Sequence, residues 1–290
     1  MAGYDGIDDR SLGAGKHNSY NFAESLRASN QGANSLAGLR IGILTEGFEQ
    51  DVFDPAVKAV VREAIRNFKQ LGATVDEVSV PEHLNGPAVW TIQQRISGSL
   101  GILGKAHGRR NLHLTEFEEA RLPLTTDSFG RLFPSTKNTV INGLYLADKF
   151  PGLYGRTVNI GRRIRDAYEA AFERFDVLVM PTTPFVAPRH GVRAPPKASF
   201  EPTIGMTSNT AVFNVTGHPA LSIPVGRAPA KDDARLLLPV GMQIVGALGQ
   251  DGKVLRVGHA WESSFDWKSA RSANSMVNGQ PKVNGHSNEV

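Results

Sequence analysis

Apolar and polar positions along the chain change rhythm several times. Leu39-Arg40-Ile41-Gly42-Ile43-Leu44 is a short apolar run ending at Glu46-Gly47, which reads as a strand. Asp54-Pro55 then supplies a helix start, with Asp as N-cap and Pro at the first helical position. Val57, Val60, Val61, Ala64, Ile65 and Phe68 follow at helical spacing, and Gly72 closes the helix at its C′ position. Ala73 to Val80 alternates with the period of a strand. Residues 39–80 are thus predicted to form a strand–helix–strand unit.

Residues 83–150 carry no strand rhythm and predict several helices, with breaks at 122–127 and 133–137. A longer helix is predicted from about Thr157 to Arg174, followed by a buried strand over 175–180 that stops at Pro181-Thr182-Thr183-Pro184. A proline-bearing loop covers 185–203. Two apolar strands are predicted at 220–225 and 240–245, and a helix from Lys253 to about Trp267. Residues 268–290, rich in Ser, Asn and Gly, predict a disordered tail, while 1–38 reads as loop with a weak helical stretch. No internal repeat is visible. The class is α/β, and strands apolar on both faces imply helices on both sides of a sheet.

Composition narrows the chemistry. The 290 residues include no cysteine, which excludes disulfides, thiolate metal sites and a cysteine nucleophile. Net charge is only +4, and the basic clusters Arg109-Arg110 and Arg162-Arg163 with Arg165 are short, so no nucleic-acid partner is expected. No apolar stretch reaches the ~18 residues of a membrane helix. The start, Met1-Ala2-Gly3-Tyr4-Asp5-Gly6, has no charged segment leading into an apolar one, so the expected location is cytoplasmic, away from membranes.

The chain has no G-x-S-x-G elbow; Ser97-Gly98-Ser99-Leu100-Gly101 has the wrong spacing and falls in a helical region. No phosphate-cradling glycine loop and no paired histidines occur, so neither cofactor nor metal is expected. His218, between Gly217 and Pro219, reads as a turn residue packing locally before a strand. The strand ends near 44, 180 and 225 run into polar or Gly/Pro loops, where open α/β sheets form ligand crevices.

Three stretches in order add a resemblance. Tyr168 to Pro184 (YEAAFERFDVLVMPTTP), Phe213 to Gly226 (FNVTGHPALSIPVG) and Leu238 to Gly246 (LPVGMQIVG) are similar to the carboxy-terminal half of the amidase signature family. Leu39–Val80 and Ala2–Arg10 resemble flanking parts of the same domain, so the likeness runs over about 2–267. It implies a mixed β-sheet covered by helices on both faces, incomplete at its amino-terminal side. Residues 39–267 would be the carboxy-terminal part of an amidase-like domain.

Family members hydrolyse amides to acid and ammonia through a serine, a second serine in a cis peptide and a lysine. The resemblance places those in the amino-terminal half of the domain. No Gly-Gly-Ser-Ser-Gly-Gly run is present, and Lys16 does not match the catalytic lysine, so no catalytic residue is assigned. What the resemblance leaves is a substrate side. Met206, Thr207 and Asn209 are the pocket candidates, and the uncharged stretch 205–209 suggests an uncharged or aromatic acyl group. Asn214 and Gln243 are expected to fix backbone in neighbouring strands, and Gly217 and Gly241 to mark close backbone approaches.

The expectation is an amidase-lineage chain of little activity by itself, its ligand a small-molecule amide rather than a tRNA-linked one. The alternative is a non-catalytic binding or regulatory protein pairing with an intact amidase. Uncovered apolar strand edges would favour self-association.

Overall fold

The computed structural model describes residues 3–7, 11, 13–15, 20–27, 34–106, 112–189 and 203–268. The predicted tail beyond Lys268, the Arg109-Arg110 cluster and most of the loop at 185–203 lie outside them.

A short helix α1 (Phe22–Arg27) precedes β1 (Arg40–Leu44), the single turn α2 (Glu46–Glu49), α3 (Pro55–Gln70) and β2 (Thr74–Val78). A 3-10 turn over Pro81–Asn85 leads into α4 (Gly86–Ile102), α5 (Thr115–Arg121), α6 (Thr126–Arg131), α7 (Pro134–Lys149) and α8 (Leu153–Phe172). Then come β3 (Val177–Pro181), α9 (Ala211–Thr216), β4 (Ala220–Ala230), β5 (Asp233–Gly246) and α10 (Asp251–Ser264).

The five strands form one mixed sheet in the order β2-β1-β3-β5-β4. β1 runs parallel to β2 with Arg40 opposite Thr74, and parallel to β3 with Ile41 opposite Val177. β5 runs antiparallel to both β3 and β4. Every residue of β3 is buried, as a central strand covered on both faces must be. On one face α3 and α10 pack together, and Trp261 Nε1 donates across them to the Ala64 carbonyl at 3.1 Å. The other face carries α8, α9 and the 203–210 turn, through Tyr168, Phe213 and Gln243. Asp176, at the start of β3, accepts from the Arg40 N–H at 2.9 Å and from Lys253 Nζ at 3.0 Å. Burial works to raise its pKa, but those two donors outweigh it and hold the carboxyl below the usual range.

The strand–helix–strand reading of 39–80 holds, including the cap: Asp54 Oδ1 accepts from Ala56 N–H at 2.8 Å, and Gly72 takes φ +88° just past the helix. The Ser97–Gly101 segment is helical, inside α4. The last two strands depart from expectation. β4 and β5 run on past 225 and begin before 240, making one long hairpin. Pro224 and Pro229 lie on β4, an edge strand that tolerates missing ladder donors, and Pro239 lies on β5 outside the 242–246 stretch that pairs with β3. The two sheet edges are guarded, β4 by its prolines and β2 by exposed Asp76 and Glu77. Exposed large apolar side chains gather instead on the helical segment, at Phe117, Phe133, Ile141 and Tyr145.

Candidate functional site

The chain leaves β1 for β2 through α3 on one face of the sheet. It travels from β2 to β3 through α4–α8, and α8 lies on the other face. Strand order therefore reverses between β1 and β3, and the loops at their carboxyl ends flank the position at which open α/β sheets place a ligand crevice. One loop is Thr45 with α2; the other is Pro181-Thr182-Thr183-Pro184. The second also meets the start of α3, where Asp54 N–H donates to the Pro184 carbonyl at 2.8 Å.

Asn209 joins the two loops from behind. Its Nδ2 donates to the Gly47 carbonyl at 2.9 Å and to the Pro181 carbonyl at 2.7 Å. Both amide protons are thereby used, so Oδ1 faces His83 Nε2 at 3.0 Å as an acceptor. His83 must then carry its proton on Nε2, leaving Nδ1 to accept from the Tyr168 hydroxyl at 2.6 Å. All three side chains are fully buried. Burial lowers the His83 pKa, which keeps the ring neutral as the tautomer requires. Burial, with the Glu46 charge adding to it, raises the Tyr168 pKa well above its ordinary value. Glu46 Oε2 accepts the Val80 N–H at 2.9 Å and Oε1 accepts from Ser79 Oγ, which fixes α2 to the chain after β2. Gln243, from β5, donates Nε2 to the Asn209 carbonyl at 3.1 Å.

The open side is different. Thr182 Oγ1 and Ser222 Oγ lie 2.7 Å apart over Gly241, and Thr182 N–H donates to the Gly241 carbonyl at 2.9 Å. A Cβ on Gly241 would stand 2.9 Å from Ser222 Oγ and 3.0 Å from Thr182 Oγ1, so only glycine leaves both hydroxyls in place. This floor is polar, uncharged and solvent-reached at Ser222. Among the described residues no group of His, Asp or Glu gathers that could hold a metal ion, and no helix is long and apolar enough to cross a membrane. A separate open cavity of about 590 Å³ lies against Arg156, Asn159, Arg163 and Asp166 of α8 and shares no residue with these loops.

The structure places the three pocket candidates at different depths. Met206 is half-buried, Thr207 is exposed with its carbonyl accepting from Ala211 N–H at 2.9 Å, and Asn209 is buried in the wall. Gln243 fixes backbone, but that of the 203–210 turn rather than of a neighbouring strand. Asn214 does not; it is exposed on α9, with Nδ2 on the Thr210 carbonyl at 3.5 Å. Gly241 is a close approach, whereas Gly217 serves α9 as its left-handed C-terminal residue at φ +82°. His218 is more than a locally packed turn residue: Nδ1 lies 2.8 Å from the nearby Thr216 Oγ1, but Nε2 lies 2.9 Å from Glu169 Oε1 on α8, and the ring packs against Tyr168 and Phe172. Sequence reasoning missed His83, Tyr168 and Glu46. Each stands alone in the sequence, and 126 positions separate His83 from Asn209.

The family model described as Amidase matches residues 10–255. The chain belongs to the amidase family. The chain is similar to an enantioselective amidase of Rhodococcus rhodochrous, 36% identical over 76% of this chain and 43% of that protein. It is also similar to a glutamyl-tRNA(Gln) amidotransferase subunit of Methylococcus capsulatus, 34% identical over 81% of this chain and 46% of that protein. The chain thus spans about half the length of the curated relatives it matches. Among solved structures, a 6-aminohexanoate cyclic dimer hydrolase complexed with substrate shares the fold at TM-score 0.65. It is 22% identical and covers 92% of this chain and 52% of that one. A bacterial aryl acylamidase of the amidase signature enzymes gives TM-score 0.62 at 20% identity, over 88% of this chain and 48% of that one.

Proposed function

We propose that this amidase chain forms the substrate side of an amide hydrolase acting on a small carboxylic amide, with acid and ammonia as products. The observation that carries the reading is the Asn209 amide spanning the switch-point crevice between Gly47 and Pro181. A rigid wall of that kind holds an acyl group in one pose, which is what amide hydrolysis needs from a binding surface.

Met206 and Thr207 border the crevice on the turn side, with Asn209 behind them. Thr182, Ser222 and Gly241 form its floor. An uncharged or aromatic acyl group suits it, because no charged side chain lies in 205–209 or among the floor residues. The same absence favours a small amide over a tRNA-linked one. Residues 39–267 act as the carboxy-terminal part of the domain. The chain by itself hydrolyses little, since no residue in it matches the Ser/Ser/Lys set that the family resemblance implies. Ser222 is an unactivated hydroxyl: its partner is Thr182, not a base.

The test offers benzamide and phenylacetamide to the purified chain. Expected are saturable chemical-shift changes at Thr182 and Gly241 and no ammonia release above background. Turnover abolished by a single substitution in this chain would overturn the inactivity. Absence of binding by either amide would overturn the pocket.

A further inference from the structure

α7 has two apolar stripes, and only one of them is used. Thr139, Val140 and Gly143 are buried against α4, so tightly that a Cβ on Gly143 would stand 2.0 Å from the Arg95 carbonyl. On the outer side Ile141, Leu144 and Tyr145 are 58%, 44% and 55% exposed. Their spacing is that of a helix-packing seam. The seam is prolonged at both ends. Phe133, just before the helix, is 80% exposed, and Phe150 and Tyr154, just after it, are 50% and 41% exposed. Tyr145 and Phe150 already touch, ring centroids 6.4 Å apart. An exposed stripe of this length marks an interface.

Two charges flank the seam on the same helix face. Lys137 lies one turn before Ile141, and Asp148 one turn after Leu144. Lys137 Nζ donates to the Gly130 carbonyl at 2.6 Å, and Asp148 stands 3.6 Å from Lys149; both contacts are exposed and exchange readily.

We propose that this face binds a second copy of the same chain, α7 against α7 and antiparallel, about a two-fold axis passing midway between Asn142 and Gly143. The occupant follows from self-complementarity. Antiparallel pairing about that point sets Ile141 against Leu144 of the second copy, and Lys137 against its Asp148. It sets Phe133 against the Phe150 and Tyr154 end of the other helix. Parallel pairing would put Lys137 on Lys137 and Asp148 on Asp148, like charge on like. A two-fold contact is closed, so association stops at the dimer.

The test is sedimentation of the full chain at up to about 100 µM, a range that reveals standard-size interfaces. A dimer is expected, and Leu144→Glu converts it to monomer while keeping the thermal melt that the wild-type chain shows when dilute enough to be monomeric. Lys137→Glu and Asp148→Lys each weaken the dimer about tenfold, and the two together restore it to within about threefold. Because the chain has no cysteine, an oxidised mixture of Ile141→Cys and Leu144→Cys chains should cross-link more than either chain alone. A wild-type monomer at the top concentration overturns the proposal. So does a dimer that Leu144→Glu leaves intact, or a charge pair whose combination fails to restore. None of these readouts involves amide binding, so this inference and the amide reading fail separately.

Discussion

The wall behind the crevice and the outer face of α7 are built on opposite plans. In the wall, Asn209, His83 and Tyr168 are polar yet fully buried, and every hydrogen-bonding position of Asn209 and His83 has a partner in the protein. On α7, Ile141, Leu144 and Tyr145 are apolar yet open to water. A buried polar group is tolerable only when fully paired, so the wall is rigid and intolerant of change. An exposed apolar group costs little locally and is free to vary unless something binds it. The first region behaves as a device within one fold and the second as a device between molecules.

The largest expected effect is Asn209→Leu. It leaves the Gly47 and Pro181 carbonyls and His83 Nε2–H without partners, and should lower stability by about 3 kcal/mol in urea unfolding. A loss under about 1 kcal/mol would mean that the wall is not a connected unit.

Next comes Gly143→Ala on the inner side of α7, expected to cost about 2 kcal/mol because the methyl has no room against the Arg95 carbonyl. The same helix should tolerate Ile141→Ser on its outer side within about 0.5 kcal/mol in the monomer. Equal costs at the two positions would remove the contrast between the faces.

The pH dependence is the third. Burial holds the folded pKa of His83 below its ordinary 6.5, and that of His218 likewise, although Glu169 works to raise the latter. The unfolded chain therefore takes up protons first as pH falls. Stability is full above about pH 6.5 and declines below it, down towards the folded values. His83→Gln should flatten that decline and is read by urea titrations across the acid range. An unchanged slope would show that His83 is not the group responsible.

The smallest effect is Ser222→Ala. It removes one exposed hydroxyl bond to Thr182 and should change stability by less than about 1 kcal/mol, while weakening amide binding followed by chemical shift.

The sequence was most legible where one segment carries its own periodicity. Val57 to Phe68 repeats at helical spacing behind an Asp-Pro cap, and that helix formed as read. Ala220 to Val245 was less legible, because prolines interrupt the pattern and only cross-strand pairing reveals the hairpin's length. Of the site, the turn bearing Met206, Thr207 and Asn209 was named from resemblance alone. His83 and Tyr168 carried no linear signal, since a lone histidine and a helical tyrosine are ordinary core residues.

By itself the sequence determined the α/β class, the β1–α3–β2 unit and the place of β3 as a buried strand. Local period, caps and the family-like stretches are written in neighbouring residues, and short-range sterics enforce them. Only the tertiary structure decided what Asn209 does. Its two amide protons reach carbonyls on loops brought together by strand order, and its oxygen fixes the tautomer of a histidine from a distant turn. It also decided which stripe of α7 is spent on α4 and which faces water, a choice that depends on the neighbours a helix meets rather than on its own pattern.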